Sequence, residues 1–238
     1  AAPTPAHTVL SGVMIKTGLL LWMRMFPFEG IVMDWAGILI ALGLFSAITA
    51  ALIGMTHHRP KVLLAYSSVS QMGLAATGVG MGLALAGHSE GVLAMLSIFA
   101  AHHAIAKGSL FLGVGLAAGD TTLWQRRILL AGLAVGGAAL AGFPFTSGLA
   151  GKGYLKYMAA GLEEPWRSLL AWALPLSSVT TMLLMIRYLV ILAPKPREPQ
   201  GVWNAHMLIP WTVLVAGGLL YPWMLFSMGG AGEKEIGF

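Results

Sequence analysis

LSIFAAHHAIAKGSLFLGVGL, residues 96–116, carries one formal charge in twenty-one residues, and that charge, Lys107, sits among alanine, glycine and leucine. A stretch of this length and polarity reads as a membrane-spanning helix, because about 20 apolar residues cross the hydrocarbon core. The lysine is then an anomaly, since an ammonium at bilayer depth costs roughly 2.5–3.5 kcal/mol on insertion scales. His103 lies four residues before it and shares its helix face, while His102 is turned about 100° away. Two titratable groups on one face of an otherwise uncharged span read as a proton relay. His102 reads as a core histidine.

Working outward, the same pattern recurs along the chain. It is 57% hydrophobic and only 10% charged, with a mean hydropathy of +0.79, which excludes a soluble globular class. Charges and turn residues divide it into seven apolar segments, at about 8–24, 35–56, 63–87, 92–118, 128–150, 168–193 and 207–228. The expected fold is all-α and integral to the membrane, with about seven transmembrane helices in a single transmembrane domain over 1–238. Between the segments lie FPFEG (26–30), HHRPK (57–61), GHSEG (87–91), GDTTLWQRR (119–127), a polar stretch from Lys156 to Arg167, and PKPREPQ (194–200). Their composition makes them loops.

Seven crossings place the second, fourth and sixth loops on one face, which collects Arg59, Lys61, Arg126, Arg127, Lys195 and Arg197. The other face holds Arg24, Lys156, Arg167 and Lys234, diluted by Glu29, Glu90, Glu163, Glu164, Glu233 and Glu235. The positive-inside rule makes the first face cytoplasmic, with the N-terminus inside and the C-terminus outside. The net charge of +5 is thereby spent on membrane orientation, and no nucleic-acid partner is expected. Zero cysteines exclude thiolate-held iron–sulfur clusters and cysteine nucleophiles in this chain, so any redox chemistry belongs to a partner. No phosphate loop, dinucleotide fingerprint or nucleophile–base–acid set is present, and no bond chemistry is assigned to the chain. HHRPK lacks a third ligand at metal-binding spacing. The start, Ala1-Ala2-Pro3-Thr4-Pro5, without Met or a signal pattern, reads as the continuation of something longer.

Two further lysines interrupt apolar stretches, and a third, Lys61, stands at a helix mouth. Lys16, in HTVLSGVMIKTGLLLWMRMF (7–26), is roughly 12 Å from either segment end, further than its stem comfortably reaches to snorkel. Lys152 follows Pro144 in GFPFTSGLAGK (142–152). The proline removes a backbone donor and frees the carbonyl one turn earlier, so a broken helix is expected near Pro144. Such a break survives in a membrane only inside protein or beside water. Lys152 is either a group that this water reaches or an interfacial lysine ending an ordinary helix. Arg187, near the end of TMLLMIRYLVIL (181–192), reads as snorkelling, with a partner's carboxylate as the alternative. LAYSSVSQMG (64–73) reads as a polar helix start capped by Ser67 or Ser68, and Pro175 and Pro222 as kinks in their helices. Desolvation disfavours the charged form of an amine, and two ammoniums about 10 Å apart at an effective dielectric near 20 repel by roughly 1.7 kcal/mol. Protonating one buried amine therefore helps to empty its neighbour.

Four motifs in order, APTPAHTVLSGVMIKTGLLL (2–21), RPKVLLAYSSVSQMG (59–73), HHAIAKGSLFLG (102–113) and GFPFTSGLAGKGYL (142–155), closely resemble the antiporter-like membrane subunits of complex I. The same family includes large subunits of membrane-bound hydrogenases and of multi-subunit cation/proton antiporters. The resemblance implies fourteen core helices built as two inverted five-helix repeats, of which this chain is similar to the eighth through fourteenth, so one repeat unit occupies its second through sixth segments. By the same resemblance Lys16 matches the bridge between two half-channels, His103 and Lys107 the central relay, and Lys152 the terminal residue of the broken helix. The first repeat, with its glutamate and lysine pair, has no counterpart here, so another chain or segment is expected to supply it. Lys152 stands where some members have glutamate, and Lys16 where others have histidine.

The functional expectation is a non-redox, proton-translocating subunit of a complex I-like respiratory assembly in an energy-converting membrane, most simply a bacterial inner membrane. Flavin and iron–sulfur clusters are then expected on partner subunits and no cofactor in this chain. The alternative is a subunit of a cation/proton antiporter or inorganic-carbon uptake system without a redox partner. The midplane groups are nitrogen bases, whereas sodium needs oxygen ligands, which favours protons as the ion these residues carry.

Overall fold

The computed structural model describes residues 4–25, 33–85, 89–119, 121–193 and 205–229, and every regular element among them is helical. The first crossing has three pieces: α1 (Thr4–Gly12), a 3-10 turn (Met14–Lys16) and α2 (Thr17–Met25). Then follow α3 (Met33–Met55), α4 (Pro60–Ala84), α5 (Ser89–Ala117), α6 (Leu123–Ala141), α7 (Ser147–Ala160), α8 (Trp166–Leu192) and α9 (Ala205–Gly229). Six stretches are long and apolar enough to span a membrane: Pro5–Met25, Trp35–Met55, Pro60–Ala84, Gly91–Ala117, Trp166–Leu192 and His206–Leu225. The α6–α7 pair supplies a further, interrupted crossing. The chain is an all-α integral membrane protein. The loops expected at 26–30 and 194–200, with Glu29, Lys195, Arg197, Glu233, Lys234 and Glu235, lie outside the described residues.

Local chemistry sets the boundaries. Pro60 at the first helical position, after an extended Arg59, starts α4, where proline's fixed φ and missing N–H cost nothing. Thr122 and Gln125 form a capping box at the start of α6. The same helix ends where Gly142 takes φ +86. Its N–H bonds to Ala139 O, and that of Phe143 to Ala138 O, both at 3.0 Å, the Schellman arrangement that a glycine in the left-handed region permits. Pro144 cannot resume the helix. The interruption therefore leaves two helices, 123–141 and 147–160, in place of the fifth segment expected at 128–150, and the polar stretch from Lys156 is helical as far as Ala160.

Two other expectations are corrected. Ser67 and Ser68 do not cap a helix start, because Pro60 opens α4 seven residues earlier, and both hydroxyls donate back to Leu64 O within the helix. The first segment, read as continuous over 8–24, breaks after the Ser11-Gly12 pair, a common kink point. Pro175 and Pro222 both lie inside uninterrupted helices. Arg187 does reach for its helix end: Nε donates to His57 O at 3.3 Å and one terminal nitrogen meets His58 Nδ1 at 3.1 Å.

Lipid offers no hydrophobic drive between helices, so close backbone approach carries much of the packing. α3 and α4 make the most extensive contact in the bundle. At Gly73 an added Cβ would lie 2.6 Å from Gly43 O and 2.7 Å from Ala47 N. α5 is central, touching α1, α4, α6, α7 and α9. Arg126 at the start of α6 donates to Ala117 O at 3.0 Å and to Leu192 O, tying the last residues of α5 and α8 together.

The apolar core is split. One cluster contains Leu74, Val79, Met95, Phe99, Leu155, Met158 and Leu170. The other contains Leu63, Leu64, Leu110, Leu133, Leu140, Leu184 and Tyr188. Along α4, α5 and α8 the gap between the clusters falls at residues 67–71, 102–103 and 177–181, and in the α6–α7 crossing it falls at the break. Buried polar residues fill that gap: Ser67, Ser68, Ser70, Gln71, His102, His103, Ser147, Lys152, Ser177 and Thr181.

Candidate functional site

The polar layer is the candidate site. Lys107 lies ten residues before the end of α5, about 15 Å of helix, and is fully buried. Its ammonium donates to Leu64 O at 2.5 Å and to Ser67 Oγ, both on α4, and sits 6.0 Å above the Phe111 ring. No Asp or Glu occurs anywhere in residues 35–85, 91–119 or 165–193. The one ion pair among the described residues, Arg167 with Glu164, is at an exposed helix start. A buried cation normally has a paired countercharge; Lys107 has a carbonyl and a hydroxyl.

His103 shares the helix face of Lys107, as its spacing required, yet neither ring nitrogen has a hydrogen-bond partner in its fully buried position. It bonds directly to neither Lys107 nor Lys152. His102, read as a core histidine, is also fully buried: Nδ1 pairs with Ser147 Oγ at 3.0 Å, the ring packs edge-on to Phe99, and Nε2 is unpartnered. Ser147 opens α7, so this contact pins the second half of the broken crossing to α5.

Lys152 is placed by the break itself. A helix end leaves carbonyls without partners. The Schellman bonds satisfy Ala138 and Ala139, and the next two carbonyls are taken by side chains from other helices. Gln71 Nε2 on α4 reaches Leu140 O at 3.5 Å, the carbonyl Pro144 was expected to free, and Lys152 Nζ reaches Ala141 O at 3.3 Å. Lys152 also donates to Ser178 Oγ at 3.1 Å. Its stem passes Gly142 so closely that a Cβ there would meet Cδ at 2.7 Å. Lys152 is 7% exposed and lies inside α7 rather than at the end of an ordinary helix.

Lys16 ends the 3-10 turn of the first crossing, half-buried, with its ammonium on Gly12 O. It is joined to the rest through its neighbours. Ser11 Oγ meets Ser68 Oγ at 2.8 Å, and Ser68 donates at 3.1 Å to Leu64 O, the carbonyl that holds Lys107. Of the four sequence-assigned residues, Lys107 and Lys152 each head a hydrogen-bonded group at the polar layer, Lys16 bonds within its own crossing to Gly12 O, next to Ser11, and His103 lies on the Lys107 face of α5 without a hydrogen bond.

Residues that the sequence reading missed complete those groups: Ser11, Gln71, Ser147, Ser178 and Thr181. Their common signal is a hydroxyl or amide inside a span, where an unpaired polar group is costly. The run SSVT, residues 177–180, with Thr181 following, is the clearest case.

Residues 1–183 match the family described as NADH:quinone oxidoreductase/Mrp antiporter, transmembrane. A protein that bears the name "Putative antiporter subunit mnhA2", from Staphylococcus haemolyticus, is 36% identical over 125 residues, covering 49% of this chain and 16% of the relative. The protein of the same name from Staphylococcus aureus is 30% identical over 173 residues, 64% of this chain and 21% of the relative. The chain therefore spans about a fifth or less of these relatives. In fold it is similar to part of the Mrp complex from Dietzia sp., with a TM-score of 0.68 and 24% identity over 94% of this chain and 26% of that one. It is equally similar to part of an archaeal membrane-bound sulfane sulfur reductase, with a TM-score of 0.70 and 22% identity over 90% of this chain and 38% of that one.

Proposed function

We propose that this chain, which belongs to the NADH:quinone oxidoreductase/Mrp antiporter transmembrane family, carries protons across the membrane as part of an antiporter-type subunit, through Lys16, His103, Lys107 and Lys152. The observation that carries the reading is Lys107: a fully buried amine well inside its helix, held by a carbonyl and a hydroxyl, with no carboxylate partner among the described residues. A packing role would be met by leucine or methionine at no desolvation cost. An amine there is useful because it exists both charged and neutral, and because like charges at Lys16, Lys107 and Lys152 oppose simultaneous occupancy. A proton arriving at one favours departure from the next. The N–H bond broken at one lysine is replaced by one formed at another, and a single positive charge moves along the layer.

Names of the relatives weight the assembly toward cation/proton exchange, since both the 36% and the 30% identical proteins are called antiporter subunits. The second reading sets the same pathway in a respiratory electron-transfer assembly, with flavin and iron–sulfur clusters on partner chains. The fold likeness to the sulfane sulfur reductase, described as a respiratory complex, favours it. In either reading the chain works among other membrane subunits, and another chain or segment supplies the remaining half of the pathway. The face bearing Arg59, Lys61, Arg126 and Arg127 is assigned to the cytoplasm by the positive-inside rule.

The test is Lys107→Met in the whole complex, reconstituted into vesicles, with proton movement followed by an enclosed pH dye. A loss of about 100-fold is expected, within the range for removal of a proton-transfer group, with subunit composition unchanged. Wild-type proton movement in the assembled variant would defeat the proposal. Flavin or iron–sulfur absorbance co-purifying with the complex would select the second reading over the first.

A further inference from the structure

We infer that protons pass between Lys107 and Lys152 along α4 and α8, by way of Ser67, Gln71, Thr181 and Ser178. This rests on the proposed function and adds to it the residues that join its two separate lysine groups.

Gln71 is the key to the geometry. It is fully buried on α4, four residues after Ser67 and so on the same helix face, about 6 Å along the axis. Its Nε2 is 3.5 Å from Leu140 O and 3.4 Å from Thr181 Oγ1, while its Oε1 is buried with no partner. Lys152 holds the very next carbonyl, Ala141 O. The amide of Gln71 and the ammonium of Lys152 are therefore seated side by side on the open end of α6. From Thr181 the line continues on α8 to Ser178, three residues earlier on the same face, whose Oγ accepts from Lys152. At the other end Ser67 Oγ accepts from Lys107.

Only two steps lack a direct hydrogen bond, Ser67 to Gln71 and Thr181 to Ser178, and each is about one helical turn. The route requires one water in each step, held by the 2–4 polar partners that a buried water needs. The unmet Gln71 Oε1, facing the layer, is the acceptor such a water would use. Hydroxyls and water both donate and accept, so each can release one proton as it takes another. The amide carries no proton itself: Gln71 is a positioning residue that orients the water and fixes Thr181. In the complete step an N–H bond breaks at Lys107, a proton shifts across Ser67, a first water at Gln71 Oε1, Thr181, whose hydroxyl turns from Ser177 O, a second water and Ser178, and an N–H bond forms at Lys152. The charge of one proton is conserved throughout. His103 and His102 offer no such line, because Ser147 bonds His102 while the Lys152 ammonium is turned to Ala141 O and Ser178 instead.

The experiment uses the whole complex in vesicles with an enclosed pH dye, alongside Lys107→Met. Thr181→Val keeps the side-chain shape and removes the hydroxyl, Thr181→Ser restores a hydroxyl, and Thr180→Val alters the adjacent buried threonine, which like Thr181 donates to Ser177 O but does not meet Gln71. Thr181→Val is expected to slow proton movement about 10-fold or more, Thr181→Ser to recover most of it, and Thr180→Val to run near the wild-type rate. Gln71→Leu should slow it comparably. If Lys107→Met abolishes movement while Thr181→Val and Gln71→Leu leave it intact, the route is wrong and the proposed function stands. Equal losses in Thr180→Val and Thr181→Val, or no recovery with Thr181→Ser, reduce the effect to packing and also overturn the route. Should Thr181→Val not assemble, Ser178→Ala at its half-buried position decides: a loss of about 5-fold or more is expected, and a wild-type rate overturns the route.

Discussion

Gly142→Ala is the substitution whose effect the structure specifies most fully. Two separate costs meet at this position. The backbone sits at φ +86, and an L-residue with a Cβ pays roughly 1–2 kcal/mol in the left-handed region. The new methyl would also lie 2.7 Å from Lys152 Cδ, and overpacking of this kind typically costs 1–3 kcal/mol. Together the destabilisation is about 2–5 kcal/mol, part of it delivered by displacing the Lys152 stem from the carbonyl it caps. The two parts separate in a double-mutant cycle with Lys152→Ala, which removes Cδ and leaves the backbone cost. Reversible unfolding of the purified protein in mixed micelles, with denaturing detergent as titrant, measures all four species. The prediction is a coupling of about 1 kcal/mol or more in the direction of relief: alanine at 142 costs less when residue 152 is already short. Strict additivity would mean that Lys152 does not pass Gly142 as described, and a Gly142→Ala protein as stable as the parent would refute the left-handed cap itself.

Arg126→Gln removes a guanidinium that holds Ala117 O and Leu192 O; interhelical hydrogen bonds in membranes are worth about 0.6–1.7 kcal/mol each, so a loss of roughly 1–3 kcal/mol is expected in the same unfolding assay. Local amide exchange should rise at the ends of α5 and α8 before it rises elsewhere. Gly73→Val drives a side chain into Gly43 O and Ala47 N; separation of α3 from α4 is expected to cost about 1–3 kcal/mol, read as a lower unfolding midpoint, and an unchanged midpoint would contradict the close approach.

How much of this was legible in the sequence differs from residue to residue, for physical reasons. Membrane class and the number of crossings follow from hydropathy, because every backbone group in lipid must be satisfied inside its own helix. Lys107 was legible because a cation in an apolar run is expensive and therefore rare, whereas the pattern left Lys152 between a wetted and an interfacial reading, and its burial depends on how the broken crossing packs. Pro144 pointed to a freed carbonyl, and Leu140 O is indeed met by a side chain from another helix; that the partner is Gln71, 69 residues away in sequence, depends on tertiary packing and leaves no local trace. Ser67 and Ser68 were misread as a cap because serines prefer helix starts, while the stronger punctuation, Pro60, stood seven residues before Ser67. The pairing of Lys107 with His103 followed correctly from spacing as far as the shared face. It could not say that the ammonium turns toward α4, since rotamer and neighbour decide that. The 3-10 turn at Lys16 was invisible for a related reason: small local departures from α geometry hardly disturb the apolar period.

The central claim is that water reaches the polar layer between the two apolar clusters, so that amines at mid-membrane exchange protons. The most direct measurement is magic-angle-spinning NMR of the complex in lipid, with 15N-labelled lysine, following magnetisation from mobile water to the Nζ of Lys107 and Lys152. The account predicts transfer to both at short mixing times, lost at the second site alone in Thr181→Val. Transfer from acyl-chain protons to both amines, with none from water, would contradict it.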